Sequence, residues 1–381
     1  MAGSRASDLL EKAKTATGLE DFGEESFREG LEILVASGDA EAGFNEIGKA
    51  AFDGQIVSFL SIRLQVEDWY ARHPEIDEQE IVAPLIGLGL PRTGSTALSA
   101  LLAEDPAVRF IRNWEGILPV PPPESATEHS DPRIRMSEEM FVRRDQLYPR
   151  VKSMVPSTPT GPLECQTFMG YDFKSQLFQA MAHLPSYVEW LNYKADLVST
   201  YRYVKRVLKL LQWRCPPTRW RLKNPSHSVF IGALNEVFPD ARFWMTHRDI
   251  ANVVPSVCDL YYEFTKAYSD QVDKHYIARQ NQEWTELGLR RVIAFRDEGG
   301  QDDRFFDIHF RPFQADPFPI LEQLYAFLSE ELTPEARARM EEWRRTTPRE
   351  TYERSDPAEF GLDLDAVRER FRFYTERFNV A

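Results

Sequence analysis

Apolar residues in the first eighty positions recur at helical spacing. Leu9, Leu10 and Ala13 form one stripe, Phe27, Leu31, Ile33 and Leu34 a second, and Ile56, Phe59, Leu60, Ile62 and Leu64 a third. Steps of three and four place such residues on one helical face, so the segment predicts amphipathic helices packed on a core. Ser7 is positioned to cap the first helix and Gly18 to end it. No cluster of chemistry-bearing residues accompanies these stripes.

The texture changes at Ile81. The run Ile81-Val-Ala-Pro-Leu-Ile-Gly-Leu88 is continuously apolar, as a strand buried on both faces requires, and Pro84 sets its start near Leu85. Gly89-Leu-Pro-Arg-Thr-Gly-Ser-Thr96 follows, and then Ala97, Leu98, Ala100, Leu101 and Leu102 at helical spacing. After the prolines Pro119 and Pro121–Pro123, a surface connection, residues 135–215 read as mostly helical. Further strands are predicted at Arg219–Lys223, Ala241–Thr246 and Phe305–Phe310. A helix from Ser226 to Val237 and another opening at His247-Arg-Asp249 separate them, and the chain returns to helix from Pro317. Strands alternating with helices predict an α/β fold, a parallel sheet flanked by helices. The expected division is 1–80 as an N-terminal helical extension and 81–381 as the α/β domain.

Composition narrows the functional classes. Among 381 residues, 46 Lys+Arg face 60 Asp+Glu, a net charge of −14. That balance argues against nucleic acid as a partner, because a polyphosphate rewards clustered cations. A small anion needs only a local basic pocket. Cys165, Cys215 and Cys258 are far apart and form no CxxC pair, so neither a disulfide framework nor a zinc site is expected. The longest apolar run, Ile81–Leu90, falls short of the ~20 residues that span a bilayer. The start of the chain reaches charges too early for a signal peptide. A cytoplasmic protein is the expectation, and the sequence carries no reading of its oligomeric state.

Strand, glycine loop and helix occur in the order a phosphate cradle requires. Gly89-x4-Gly94 with Thr96 fits the frame of a Walker A loop, but Ser95 occupies the lysine position. The helix N-terminus supplies about half a positive charge and Arg92 a full one. A dinucleotide fingerprint fails, since Arg92 stands where its third glycine belongs.

Leu90-Pro-Arg-Thr-Gly-Ser-Thr96 resembles the 5′-phosphosulfate loop of sulfotransferases that use 3′-phosphoadenosine 5′-phosphosulfate (PAPS). Arg248, after the strand Phe243-Trp-Met-Thr246, and Ser256 eight residues later resemble that family's 3′-phosphate pair. The likeness runs from about Ile81 to Tyr262 and is nearest to a bacterial branch. That branch carries PRTGST, a Trp-Glu before prolines, LKxPSH and HRD, and an ending like Glu359-Phe-Gly-Leu-Asp with Val367–Phe371. The resemblance implies a P-loop-like sheet and transfer of a sulfuryl group from PAPS to a hydroxyl or amine. The acceptor would be a small molecule, a carbohydrate or a lipid, and no metal is expected. Arg92, Thr93, Gly94, Ser95 and Thr96 would hold the phosphosulfate through backbone and hydroxyls, and Arg248 with Ser256 the 3′-phosphate. Arg349 and Arg354 are candidates for the basic loop that cytosolic relatives add.

Transfer to a hydroxyl needs a proton acceptor and cations on the departing phosphate. The resemblance implies two candidate bases: Glu115, in Asn113-Trp-Glu-Gly, and His227, in Lys223-Asn-Pro-Ser-His. Glu115 has an alternative reading as an ion-pair partner of Arg92 or Arg112. Lys223, at a strand end, is a candidate cation for the sulfuryl or bridging oxygen. Residues 201–224 hold eight Lys or Arg and no acid. Arg202, Lys205, Arg206 and Lys209 among them predict a solvated helix face, while Arg219, Arg221 and Lys223 alternate on a strand and point to one side. His183, His247, Tyr261, Tyr262, Phe264 and Tyr268 are candidates to line an acceptor pocket, with packing the first reading of each. Two other readings stay open at this level: a P-loop kinase or hydrolase, and a non-catalytic nucleotide-binding protein.

Overall fold

The computed structural model describes residues 5–347 and 353–380. The chain enters through α1 (Arg5–Thr17), α2 (Phe27–Glu41) and α3 (Glu46–Arg72), and then forms β1 (Leu85–Gly89). A helical series separates β1 from the next strand: α4 (Ser95–Ala103), α5 (Asn113–Ile117), α6 (Pro132–Leu147) and α7 (Pro149–Met154) come first. It continues with α8 (Gln166–Gly170), α9 (Leu177–Met181), α10 (Pro185–Tyr193) and α11 (Leu197–Gln212), and ends at β2 (Arg221–Lys223). Next come α12 (Ile231–Val237), β3 (Arg242–His247), α13 (Ile250–Thr265), α14 (Lys274–Asp297) and β4 (Phe305–His309). The helices α15 (Phe310–Ala315), α16 (Phe318–Phe327), α17 (Pro334–Thr346), α18 (Leu364–Arg370) and α19 (Arg372–Phe378) close the chain.

The four strands form one parallel sheet in the order β2-β1-β3-β4. Its faces carry different cores. Leu85, Trp244 and Ile308 meet Leu98, Leu101 and Leu102 of α4 together with α15–α17. Ile86, Leu88, Phe243 and Met245 join the larger cluster, which also takes in α1–α3, α11 and α19. Gly87 is required between β1 and β3, because a Cβ there would overlap the Trp244 ring. Gly89, Lys223 and His247 lie at the carboxyl ends of adjacent strands, the edge where open α/β sheets place their sites.

Several boundaries differ from the sequence reading. Ser7 lies inside α1, which already includes Arg5, bonded to Asp39 and Asp53. β2 starts at Arg221; Trp220 before it bridges Arg109 while its carbonyl accepts from the Leu85 N–H at 3.0 Å. The helix expected from Ser226 is a short 3-10 turn, Pro225–Ser228, opened by the Asn224 cap, and α12 begins only at Ile231.

The N-terminal helices are tied to the rest by a buried cation. Arg63 is fully enclosed between the rings of Phe27 and Tyr203, 4.5 and 4.0 Å from their centroids. It donates to the carbonyls of Phe22 and Glu24 at 2.7 Å and to Asp172 at 3.3 Å. Asp172 is in turn held by Ser26, Thr200 and Lys174. The basic face of α11 is likewise docked and not solvated throughout. Arg206 pairs with Glu67 at 2.9 Å over the Tyr70 ring, and Lys209 pairs with Asp77 at 3.0 Å. No helix among the described residues is long and apolar enough to cross a membrane.

Candidate active site

The loop Leu90–Gly94 turns sharply from β1 into α4. Arg92 and Gly94 both adopt left-handed backbone, at φ 63° and 86°. Glycine suits position 94 because a side chain is strained at that positive φ. The first N–H groups of α4 thereby point out of the loop, with Leu98 the first to bond back, to Gly94. Thr96 is exposed and Ser95 buried. Thr93 is the exception to the expected set. Its hydroxyl is buried, donates to the Leu90 carbonyl at 2.7 Å and meets the Thr246 hydroxyl at 2.5 Å. The hydroxyl is thus engaged within the protein, and the Thr93 backbone is the part of the residue left for a ligand.

Residues more than 150 positions apart meet beside this loop. Arg92 Nε donates to Ser256 Oγ at 3.1 Å, and Arg248 Nη1 donates to the Arg92 carbonyl at 2.8 Å. The Arg248 guanidinium lies 4.2 Å from the Phe310 centroid. Arg92 also donates to the Met154 carbonyl at the end of α7. Asp249 caps α13 by accepting from the Ala251 N–H, the role its position after His-Arg predicts.

Behind Arg248 stands a buried network. Its backbone N–H donates to the Tyr374 hydroxyl at 3.3 Å, and that hydroxyl also lies 3.3 Å from His247 Nδ1. His247 Nε2 is 2.8 Å from Asp307, which takes two bonds from Arg296. Burial pulls the His247 pKa down even against Asp307. Burial alone would raise the Asp307 carboxyl, but its bonds to Arg296 and His247 win and hold it well below the usual range. On the other side, Arg150 of α7 binds Glu263 at 2.7 Å and Asp259 at 3.1 Å, and Ser355 donates to the same Asp259 at 2.7 Å. The C-terminal segment therefore runs along α13 one turn beyond Ser256. Arg354 is exposed within it, and Arg349 lies outside the described residues.

The two expected bases are not open to an acceptor. Glu115 is fully buried. Its carboxylate accepts from Arg109 Nη2 at 2.6 Å, from the Arg112 N–H at 2.9 Å and from Arg112 Nη1 at 3.3 Å. The geometry favours the ion-pair reading with Arg112 and adds Arg109. His227 is 1% exposed, and its Nδ1 meets the Tyr201 hydroxyl at 2.8 Å. Burial pushes its pKa down to about 3. Both candidate bases are enclosed, Glu115 by Arg109 and Arg112 and His227 beside Tyr201.

Lys223 does lie at the sheet edge, and its partner is a residue that sequence reasoning passed over. Its Nζ bonds Glu164, which also accepts from Gln166 Nε2 at 2.9 Å. Glu164 keeps 27% side-chain exposure. The Cys165 N–H donates to the Lys223 carbonyl at 3.1 Å and fixes this segment to β2. The neighbouring arginines do not join the site, because Arg219 and Arg221 share Glu330. All three cysteines are free thiols and buried. Among the described residues no group of three His, Cys, Asp or Glu side chains is arranged to hold a metal ion.

Comparison with known proteins gives a consistent result. A family model described as the sulfotransferase family matches residues 84–334. The structure is similar to sulfotransferase STF9 from Mycobacterium avium, with a TM-score of 0.92 and 32% identity over 100% of this chain and 98% of that one. It is also similar to sulfotransferase STF1 from Mycobacterium tuberculosis, with a TM-score of 0.86 and 29% identity over 96% and 97% of the two chains. A search of curated protein sequences finds no match.

Proposed function

The chain belongs to the sulfotransferase family, and we propose that it transfers the sulfuryl group of PAPS to an acceptor hydroxyl. The observation that carries the donor assignment is the convergence of Arg92, Arg248 and Ser256 at the ends of β1 and β3. Arg92 and the N-terminal backbone of α4, with the Thr96 hydroxyl, would hold the 5′-phosphosulfate. Preorganised N–H groups and a cation stabilise the charge that builds on the leaving phosphate. Arg248 and Ser256 would hold the 3′-phosphate, and Arg354 lies on a segment packed along the same helix.

Lys223 would stabilise the bridging oxygen, and Glu164 would take the acceptor proton. Glu164 is the partly exposed carboxylate beside that cation, which supports it over the enclosed Glu115 and His227. The acceptor oxygen forms its bond to sulfur as the bridging S–O bond breaks. The electron pair leaves with the phosphate oxygen and the proton passes to Glu164. A reducing, cytoplasmic location is part of the same reading and is supported by three unpaired cysteines.

The test is chromatographic detection of adenosine 3′,5′-bisphosphate formed from PAPS in the presence of acceptor mixtures. Arg92→Ala, losing a charge-assisted contact, should bind donor ten- to hundredfold more weakly, about 1.5–3 kcal/mol. Unchanged affinity would remove Arg92 from the donor site.

A further inference from the structure

The far end of the chain reaches into the donor side of the sheet. β3 stops at His247, where its ladder with β4 ends, and α13 does not begin until Ile250. The Arg248 N–H therefore belongs to neither element and needs an acceptor from elsewhere. The Tyr374 hydroxyl supplies it at 3.3 Å, from α19, 126 residues further on. Tyr374 is fully buried, and burial raises its phenol pKa, so the hydroxyl keeps its proton. It can accept from Arg248 while its own proton turns to His247 Nδ1, also 3.3 Å away.

The C-terminal helices are anchored around the same corner. Arg377 of α19 pairs with Asp297 at 2.7 Å and with Asp302 at 3.1 Å, and Asp302 also holds Arg296, the partner of Asp307. The Phe378 ring stacks on His247 with centroids 4.4 Å apart. Arg368 of α18 reaches Asp249, the cap of α13, at 3.4 Å. His247, Arg248 and Asp249 are thus each touched by α18 or α19. These C-terminal residues all lie beyond residue 334, where the family match ends.

We infer that Tyr374 is a positioning residue for the donor, holding the Arg248 backbone so that its guanidinium is in place before the 3′-phosphate arrives. This role presupposes the reading of Arg248 as the 3′-phosphate cation. The guanidinium lies 4.2 Å from the Phe310 centroid and bonds the Arg92 carbonyl at 2.8 Å. Those contacts fix the far end of a long side chain, and Tyr374 fixes the near end. A cation ordered in advance loses less binding free energy to ordering. Linkage makes the effect reciprocal: if docked α19 favours the 3′-phosphate, the 3′-phosphate favours docked α19.

A double-mutant cycle tests this role, read by calorimetric titration with adenosine 3′,5′-bisphosphate. Tyr374→Phe keeps the ring and removes the hydroxyl, and should weaken binding about three- to tenfold. In an Arg248→Ala background the same change should have no further effect, because the group it positions is gone. Weakening by the same factor in both backgrounds would make Tyr374 merely structural and overturn the inference. Hydrogen exchange on the wild type needs no variant to fold. Bisphosphate should slow exchange at residues 374–378 and leave that of α1 unchanged; equal slowing in the two helices, or none in α19, would overturn the inference. An Arg248→Ala variant that binds as tightly as wild type refutes the reading of Arg248. Weakened binding in Arg248→Ala with an unchanged Kd in Tyr374→Phe refutes the positioning role alone.

Discussion

Replacing Glu115 by Gln separates a structural carboxylate from a catalytic one. The amide is nearly isosteric and its carbonyl still accepts from the Arg112 N–H, so the cap of α5 survives. What disappears is the negative charge facing two guanidiniums. At a separation of about 3–4 Å and an effective dielectric near 20, each such pair is worth about 4–5 kcal/mol before desolvation is charged against it. The net loss is smaller, because both partners were already withdrawn from water. Removing one side of a buried pair typically costs about 3–5 kcal/mol, since the remaining charge stays buried. Arg109 is 1% exposed, and its Nε and Nη1 already lack partners, which places this variant in that range. Against a total stability of about 5–15 kcal/mol, the loss is large. Urea unfolding should show a midpoint well below wild type at unchanged m-value. The folded fraction, assayed at low temperature, should keep kcat within about threefold. A variant as stable as wild type with kcat reduced by about 10²–10⁴ would restore Glu115 as the base and refute this account of it.

Two other perturbations test neighbouring assignments. Glu164→Gln should lower kcat by about 10²–10⁴ while bisphosphate binds as before; a kcat within a few fold of wild type would remove it from the proton path. His227, with its pKa near 3 when folded and about 6.5 when unfolded, gives a pH test. Between those values the unfolded chain binds a proton that the native one refuses, so stability falls as pH drops. The slope is at most about 1.4 kcal/mol per pH unit, and it should be shallower by that amount in His227→Gln. Parallel stability profiles from pH 7 to pH 4 would contradict it.

The parts of the site set by local rules were legible in the sequence. A glycine that must turn left-handed, a strand apolar on both faces and an aspartate one residue before a helix leave marks at fixed offsets. Gly94, Leu85–Gly89 and Asp249 are therefore where the pattern puts them. Arg248 and Ser256 both reach Arg92, because eight residues from a strand end reach one face of the first helical turns. The enclosure of Glu115 and His227 was not legible in the same way. Their sequence neighbourhoods say nothing of Arg109 closing over one or Tyr201 over the other, and burial decides what each can do. Glu164 was missed because its partner Lys223 is 59 residues away and no periodicity singles out Gly161-Pro-Leu-Glu164. The only local signal was a carboxylate two residues before Gln166 in a short turn before α8. Thr93 shows the same limit at smaller scale, since its hydroxyl was claimed by Thr246, on a strand 153 residues further on.

The central claim is that Arg92, Arg248 and Ser256 form one site for a doubly phosphorylated nucleotide. Calorimetric titration with adenosine 3′,5′-bisphosphate tests it on wild type and Arg248→Ala. The account predicts a one-to-one heat for the wild type and a ten- to hundredfold weaker Kd for the variant. No heat from the wild type, or equal affinity in the two proteins, would contradict it.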